Sequence, residues 1–296
     1  MRKKQTATLV SRKYAKRGPF AETWHRMRKN PGAVFGLVVL SILILLMIYS
    51  FIFIDYRQAT AMNPTERFQS PNASHIFGTD DVGRDLFMRT IYGTRYSLAV
   101  AFGAIAFGFI VGTFFGAIAG FFGGLFEEVI MRASDILASI PAMLLGMVIV
   151  TVLGNGLINL MLAVGVTSIP NFVRMTRAAV ITIKGNEYIE SSQAMGMADF
   201  RIVFTQVIPN GLSPLIVTVT TRMGSAIIEA ASLSFLGFGV PIPTPEWGAL
   251  VSAGRNFIKT APYLTLFPGL FIMITTFACS LLGDGLRDAL DPRLKR

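Results

Sequence analysis

Charge is what this chain has least of. Only 15% of its 296 residues are Asp, Glu, Lys or Arg, where a soluble domain carries about 25%. With 52% hydrophobic residues and a mean hydropathy of +0.57, that shortage excludes a water-soluble globular fold and indicates a polytopic membrane protein. Cysteine is nearly absent. Its one example, Cys279, lies in the last apolar run, so an intrachain disulfide and a cysteine-clustered zinc site are excluded. No G-x-x-x-x-G-K-[ST] sequence occurs, which leaves no loop of the usual kind to cradle ATP phosphates. No catalytic triad and no cluster of metal ligands is present either. The chain is therefore not read as an enzyme, and no metal or other cofactor is expected on it. Asp80, Asp81 and Asp85 lie near Gly83 but miss the D-x-[DN]-x-[DN]-G calcium register. A glycine-rich turn with aspartates capping a helix from about Gly83 is the better reading.

The charge that is present is unevenly placed. The formal net charge is +10, and the excess sits in the first thirty residues. There Arg2, Lys3, Lys4, Arg12, Lys13, Lys16, Arg17, Arg26, Arg28 and Lys29 face a lone Glu22. A basic flank beside an apolar segment is the positive-inside signal. It also suits anionic membrane lipid, at on the order of 1 kcal/mol per basic residue near the surface. No aromatic-interleaved basic motif accompanies it, so nucleic acid is not an expected partner.

The apolar runs set the expected fold class, an all-α polytopic membrane protein with six transmembrane helices. Ala33–Ile54 exceeds the ~7–15 residues of a signal-peptide core and reads as an uncleaved span. Further spans are expected at about Tyr96–Phe121, Ile136–Leu153, Leu157–Met175, Leu212–Leu236 and Leu264–Leu282. The resulting organisation is a basic cytoplasmic tail (1–32), a first transmembrane helix (33–54), an external loop (55–95), a five-span core (96–284) and a cytoplasmic tail (285–296). Alternation from a cytoplasmic N-terminus puts the polar stretch 187–209 and the C-terminus inside. It puts His75–Arg95 and Gly239–Thr260 outside.

Several residues within the spans stand out. Gly108, Gly112, Gly116 and Gly120 recur every fourth position on one helix face, where they allow another helix to approach closely. Arg132 and Asp135 form an i, i+3 pair at the start of the third span, which Pro141 is expected to kink. Arg222 and Glu229 share a face of the fifth span, as residues lining a hydrated path, as a structural pair, or as groups near an interface. Trp247, after Pro241, Pro243 and Pro245, reads as an interfacial aromatic anchor of an external loop.

The polar stretch EYIESSQAMGMADFRIVFTQVIP divides into two short helices. The first, about Glu187–Met195, ends at Gly196, which takes a left-handed C′ position without a Cβ penalty. The second is expected to be capped by Asp199, to bury Phe200, Val203, Phe204 and Val207 as an amphipathic stripe, and to stop at Pro209.

The order Glu190, Ser191, Ser192, Ala194, Gly196 and Ile208-Pro209 resembles the EAA loop of ABC-importer permeases. Serines stand in place of two alanines, and Gln206 takes a usual isoleucine position. HIFGTDDVGRDLFMRTIYGTRYSL resembles the pre-core block of the peptide/nickel branch, HxFGTDxxGRDxxSRxxYGxRxSL, with Met88 for the usual serine. SFLGFGVPIPTPEWG and the closing GDGLRDALDPR resemble two further blocks of that branch, in the right order. The resemblance covers nearly the whole chain from about Asn30. It implies a type I ABC-importer permease (MetI-like) core with an N-terminal extra span, as in C-type subunits of dipeptide/oligopeptide importers. It further implies a homologous second permease, two cytoplasmic ATPases that hold the ATP and Mg, an extracytoplasmic binding protein, and a bacterial or archaeal plasma membrane. Glu187, Glu190, Ser191, Ser192, Ala194, Gly196, Asp199, Ile208 and Pro209 would then form the ATPase-coupling loop. Nickel or a metal chelate is the alternative substrate. An ion-coupled secondary transporter, which should show internal repeats, fits less well.

Overall fold

A computed structural model describes residues 19–290, so the basic residues Arg2 to Arg17 and the closing Arg293, Lys295 and Arg296 lie outside the described residues. Among the described residues the chain is helical, with no strand. Helix α1 (Pro19–Met27) precedes α2 (Pro31–Phe53), whose start is set by the Asn30 side chain accepting from the amides of Gly32 and Ala33. There follow α3 (Leu86–Phe122), α4 (Gly124–Ser139), α5 (Ala142–Leu153), α6 (Leu157–Lys184), α7 (Glu187–Ala194), α8 (Asp199–Phe235), α9 (Trp247–Gly254) and α10 (Tyr263–Leu290).

Helices α2, α3, α6, α8 and α10 are each long and apolar enough to cross a bilayer. The expected third span is different. It consists of α4 and α5, bent by 93° between Ser139 and Ala142. The sequence suggests a kink at Pro141; the structure has a break. A proline pushes the residue before it out of the helical region, and Ile140 sits at φ −88°, ψ 128°. The other spans overrun their apolar runs. Helix α3 starts at Leu86 because Asp85 accepts from the Met88 amide, and α6 continues past Met175 to Lys184. Hydropathy marks the part of a helix suited to lipid, whereas caps mark where its hydrogen bonding ends.

The frame of the bundle is the contact between α3 and α6, the most extensive between any two elements. The glycines at 108, 112, 116 and 120 make it. A Cβ on Gly112 would lie 2.5 Å from the Phe172 Cβ, and one on Gly116 2.6 Å from the Val173 carbonyl. A Cβ on Gly108 would meet Ser168 and one on Gly120 the Arg177 carbonyl, each at 2.9 Å. Around this seam Ile105, Leu160, Val164 and Phe172 pack with Met223, Ile227 and Leu233 of α8 and Cys279 of α10. Helix α4 is tied to the same frame, since Asp135 pairs with Arg174 at 2.8 Å and Glu127 with Arg177. The expected local pair of Arg132 and Asp135 is replaced by this longer-range one.

The start of α3 lies at the opposite end of the bundle from α7. Asp80 caps the turn there, accepting from the amides of Val82 and Arg84, and pairs with the Arg84 side chain at 2.6 Å. Trp247 does not sit at an interface. It is 0% exposed, and its Nε1–H donates to the Thr90 carbonyl at 3.0 Å. Glu246 beside it is 2% exposed and accepts at 3.0 Å from the Ser97 hydroxyl and from the amides of Gly248 and Ala249. A buried carboxylate tolerates that position only when it is hydrogen-bonded so fully. The stretch 239–260 is thus pinned into the bundle rather than laid over it.

Substitution of Gly112 by Val overpacks the seam and is expected to lower stability by about 1–3 kcal/mol. At Gly269 a Cβ meets no atom within 4 Å, so Gly269→Ala should stay within about 0.5 kcal/mol of the parent. Unfolding curves of both variants in detergent check this. Equal stability of the two would remove the close α3–α6 contact as the basis of the frame.

Candidate functional site

The polar stretch between α6 and α8 folds as an elbow whose turn is fixed by backbone bonds. Helix α7 ends at Ala194, and Gly196 follows at φ +79°. The Gly196 amide donates to the Gln193 carbonyl at 2.9 Å, and the Met197 amide to Ser192 at 3.1 Å. These two bonds are a Schellman motif, which needs a residue in the left-handed region at the glycine position. A Cβ on Gly196 would meet no atom within 4 Å, so the demand there is conformational and not steric.

The underside of the elbow is fused to the frame. Ile189, Ile202, Val203 and Val207 are buried together with Ala117, Phe121 and Val180 from the ends of α3 and α6. Lys184 ties the same ends, its Nζ donating to the Phe121 carbonyl at 2.6 Å. Three expectations need correction here. Asp199 is not the cap; Ala198 holds the N-cap position and the Asp199 carboxylate accepts instead from the Gln193 amide at 3.5 Å. Phe200 and Phe204 are exposed, and the buried stripe is Ile202, Val203 and Val207. Pro209 does not stop the helix, because Val203–Val207 forms a π-helical turn just ahead of it. A π turn carries the i→i+5 pattern, which shifts the buried face and accommodates a residue with no amide hydrogen. Helix α8 therefore runs unbroken from the elbow through the bundle.

The outer side of the elbow is apolar and rimmed by acid. Tyr188, Met195, Phe200 and Phe204 are exposed, Met195 by 77%. Glu187, Glu190, Ser191 and Ala194 stand exposed around them. An exposed apolar patch rimmed by polar residues marks an interaction surface. Ser192 faces the other way. It is buried, and its hydroxyl meets the Gln206 side chain, with Oγ–Oε1 3.1 Å and Nε2–Oγ 3.0 Å. The residues that depart from the EAA pattern at 192 and 206 are thus in contact with each other. Ile208 is partly buried against the same cluster.

Further along α8, Arg222 and Glu229 lie together, with 3.7 Å between Nη2 and Oε1. The Thr167 hydroxyl of α6 lies 3.1 Å from the other Glu229 oxygen and 2.7 Å from the Val164 carbonyl, its single hydrogen shared between the two acceptors. The pair opens into a cavity of about 220 Å³ that the α4–α5 break closes on one side, with Asn171 and Arg174 on another. Thr167 gives no signal in the sequence, being a threonine in an apolar helix whose partner lies in another span. The same holds for Glu246 and Glu127, whose partners Ser97 and Arg177 lie in other elements far along the chain.

Residues 112–296 match the family described as binding-protein-dependent transport system inner membrane component. This chain is a permease of that family. Residues 18–71 of the permease match the N-terminal transmembrane domain of oligopeptide transport permease C, which is the extra span α2 with its flanks. The permease is 42% identical to the dipeptide transport system permease protein DppC of Alkalihalophilus pseudofirmus, over 95% of this chain and 92% of the relative. It is 40% identical to the glutathione transport system permease protein GsiD of Pectobacterium atrosepticum, over 99% and 98%. Its fold is similar to that of the inward-facing MetNI methionine ABC transporter, with a TM-score of 0.57 at 20% identity, over 70% of this chain and 98% of that one.

Removing the Ser192 hydroxyl leaves the Gln206 amide facing an apolar cluster. Ser192→Ala in the permease is expected to cost about 1–2 kcal/mol, and Gln206→Ile in that background should restore most of it. A double-mutant cycle on detergent unfolding checks this, and additive effects of the two changes would show the contact to be idle.

Proposed function

We propose that this permease is one half of the membrane path of an ATP-driven importer of short peptides. A homologous second permease supplies the other half. Two cytoplasmic ATPases, which hold the ATP and Mg, dock on the elbow, and an extracytoplasmic binding protein delivers the substrate. The elbow and both termini face the cytoplasm of a bacterial or archaeal cell, and the loops around His75–Arg95 and Gly239–Thr260 face outward. This chain catalyses no reaction and holds no cofactor. The near full-length likeness to permeases named for dipeptide and glutathione transport supports peptide as substrate.

The observation that carries the reading is the two-sided elbow. Its outer face offers apolar side chains with an acidic rim, and its inner face is fixed to α3 and α6. A partner that grips the outer face therefore moves helices and not a loose loop. Helix α8 extends this, since its 37 residues run from Asp199 at the elbow past Arg222 and Glu229 to Phe235. Closure of the ATPases would swing that helix as a rigid body between inward- and outward-open arrangements.

Gly196→Val tests the coupling. A Cβ in the left-handed region costs roughly 1–2 kcal/mol, and the side chain would project toward the docked ATPase. Membrane insertion and pairing with the second permease should persist, while uptake falls sharply and hydrolysis loses its dependence on loaded binding protein. Retention of both stimulated hydrolysis and wild-type uptake in the reconstituted complex would overturn the assignment of the elbow. Orientation has its own test. In a Cys279→Ala background, an impermeant thiol reagent applied to intact cells should label Asp81→Cys and spare Ser191→Cys, and the reverse pattern would invert the topology.

A further inference from the structure

We propose that the cavity beside Arg222 is a subsite for the free carboxylate end of the transported peptide, and that Glu229 holds its place when the path is empty. The proposal rests on the peptide reading above and adds which end of the substrate this chain handles, and with which groups.

The pairing of Arg222 with Glu229 is incomplete. At 3.7 Å the closest approach is an ion pair without a hydrogen bond, and the Arg222 Nε–H is buried with no hydrogen-bond partner. A guanidinium carries five donors in a fork that matches a carboxylate bidentately. Glu229 uses only part of that fork and is itself shared with the Thr167 hydroxyl. An intramembrane arginine is costly to leave alone, so a loosely held partner keeps the site neutral without filling it.

The rest of the lining is largely apolar with a few polar groups, and Arg174 among them is already paired with Asp135 at 2.8 Å. Asn171 and Arg174 border the same cavity, as do Ala142 and Leu145 from the first turns of α5. Helix α5 starts there without a side-chain cap, so amides of its first turn remain free for an anion. Glu229 is the one carboxylate among the lining side chains, and Leu137 and Ala138 from the last turn of α4 bring backbone carbonyls to the other side. The partly unused Arg222 fork and the uncapped first turn of α5 together favour an incoming carboxylate over an incoming ammonium. The volume, about 220 Å³, is below the roughly 300 Å³ of ordinary ligand pockets, and suits one end of a peptide better than the whole.

Helix α8 shows how the end would arrive. Thr218, Arg222, Ser225, Glu229 and Ser232 follow a 4-3-4-3 spacing, which places them on one face. All five are half-buried, whereas Met223, Ala226, Ile227, Ala230 and Leu233 on the other face are buried in the core. The polar stripe therefore lies off the packed core, on the side of α8 that carries the cavity, where a path shared with the second permease would run.

The test uses the whole complex of both permeases, the ATPases and the binding protein in proteoliposomes. Uptake of alanyl-alanine is compared with uptake of its C-terminal amide and of its N-acetyl derivative. The binding protein is the same throughout, so its own preferences cancel when a variant's ratio is divided by that of the wild type. The double variant Arg222→Gln/Glu229→Gln removes the subsite without leaving one charge unpaired. It should lower the acid-to-amide ratio about tenfold or more and leave the ratio of free to N-acetylated peptide unchanged. Arg222→Lys keeps the charge balance and loses the fork, so it should lower the acid-to-amide ratio by a smaller factor. An unchanged acid-to-amide ratio in both variants, with peptide still moved by the wild type, overturns the subsite alone. A shift in the N-acetyl ratio instead overturns it in favour of an amino-end site at Glu229. A wild-type complex that moves no peptide overturns the peptide reading and the subsite with it.

Discussion

Two apolar helices in lipid have little reason to meet unless their backbones can touch, because lipid tails are as apolar as leucine. Everything else in this permease depends on how α3 and α6 meet that condition. The four glycines of α3 bring its backbone against the backbone of α6, with Gly112 opposite Phe172 and Gly116 opposite Val173. Once that seam is closed, its two ends become platforms. At one end Phe121 and Val180 receive the underside of the elbow. At the other, Thr90 and Ser97 receive α9 through Trp247 and Glu246. The polar attachments are thus secondary to a contact made almost wholly of dispersion.

The second organising feature is the contrast between a broken helix and an unbroken one. The α4–α5 segment gives up continuity at Ile140 and Pro141, and so surrounds a cavity within the bundle. Non-helical backbone at membrane depth is tolerated where it lines a cavity, which fits the charged groups found there. Helix α8 keeps its continuity through Pro209 by means of the π turn. One element therefore shapes the charged cavity while the other joins that cavity to the elbow.

Much of this was legible in the sequence because it is periodic or local. The glycine spacing, the reversal at Gly196 and the shared face of Arg222 and Glu229 each follow from helix geometry over a few residues. The misreadings have a physical pattern. Asp199 looked like a cap, yet the chain turns one residue earlier at Ala198. Phe200 and Phe204 looked buried because the π turn that shifts the buried face has no signature in composition. Pro141 looked like a kink, and whether a proline bends or breaks a helix is decided by the neighbours around it. What could not be read at all is the long-range pairing. Thr167 with Glu229, Asp135 with Arg174, Ser192 with Gln206 and Ser97 with Glu246 become neighbours only when the helices have packed.

The burial of Trp247 has a consequence for how the molecule can be watched. The chain has only two tryptophans. One is the surface residue Trp24, and the other is locked between the Thr90 carbonyl and the Phe271 ring, with centroids 5.6 Å apart. Replacing Trp24 with phenylalanine would leave a single native fluorophore at the junction of α3, α9 and α10, at the end of the bundle remote from the elbow. Its emission wavelength and quenching report water entry and ring contact at that junction. The protein thus carries a built-in optical reporter, free of any attached dye, for whether events at the elbow reach the opposite end of the bundle.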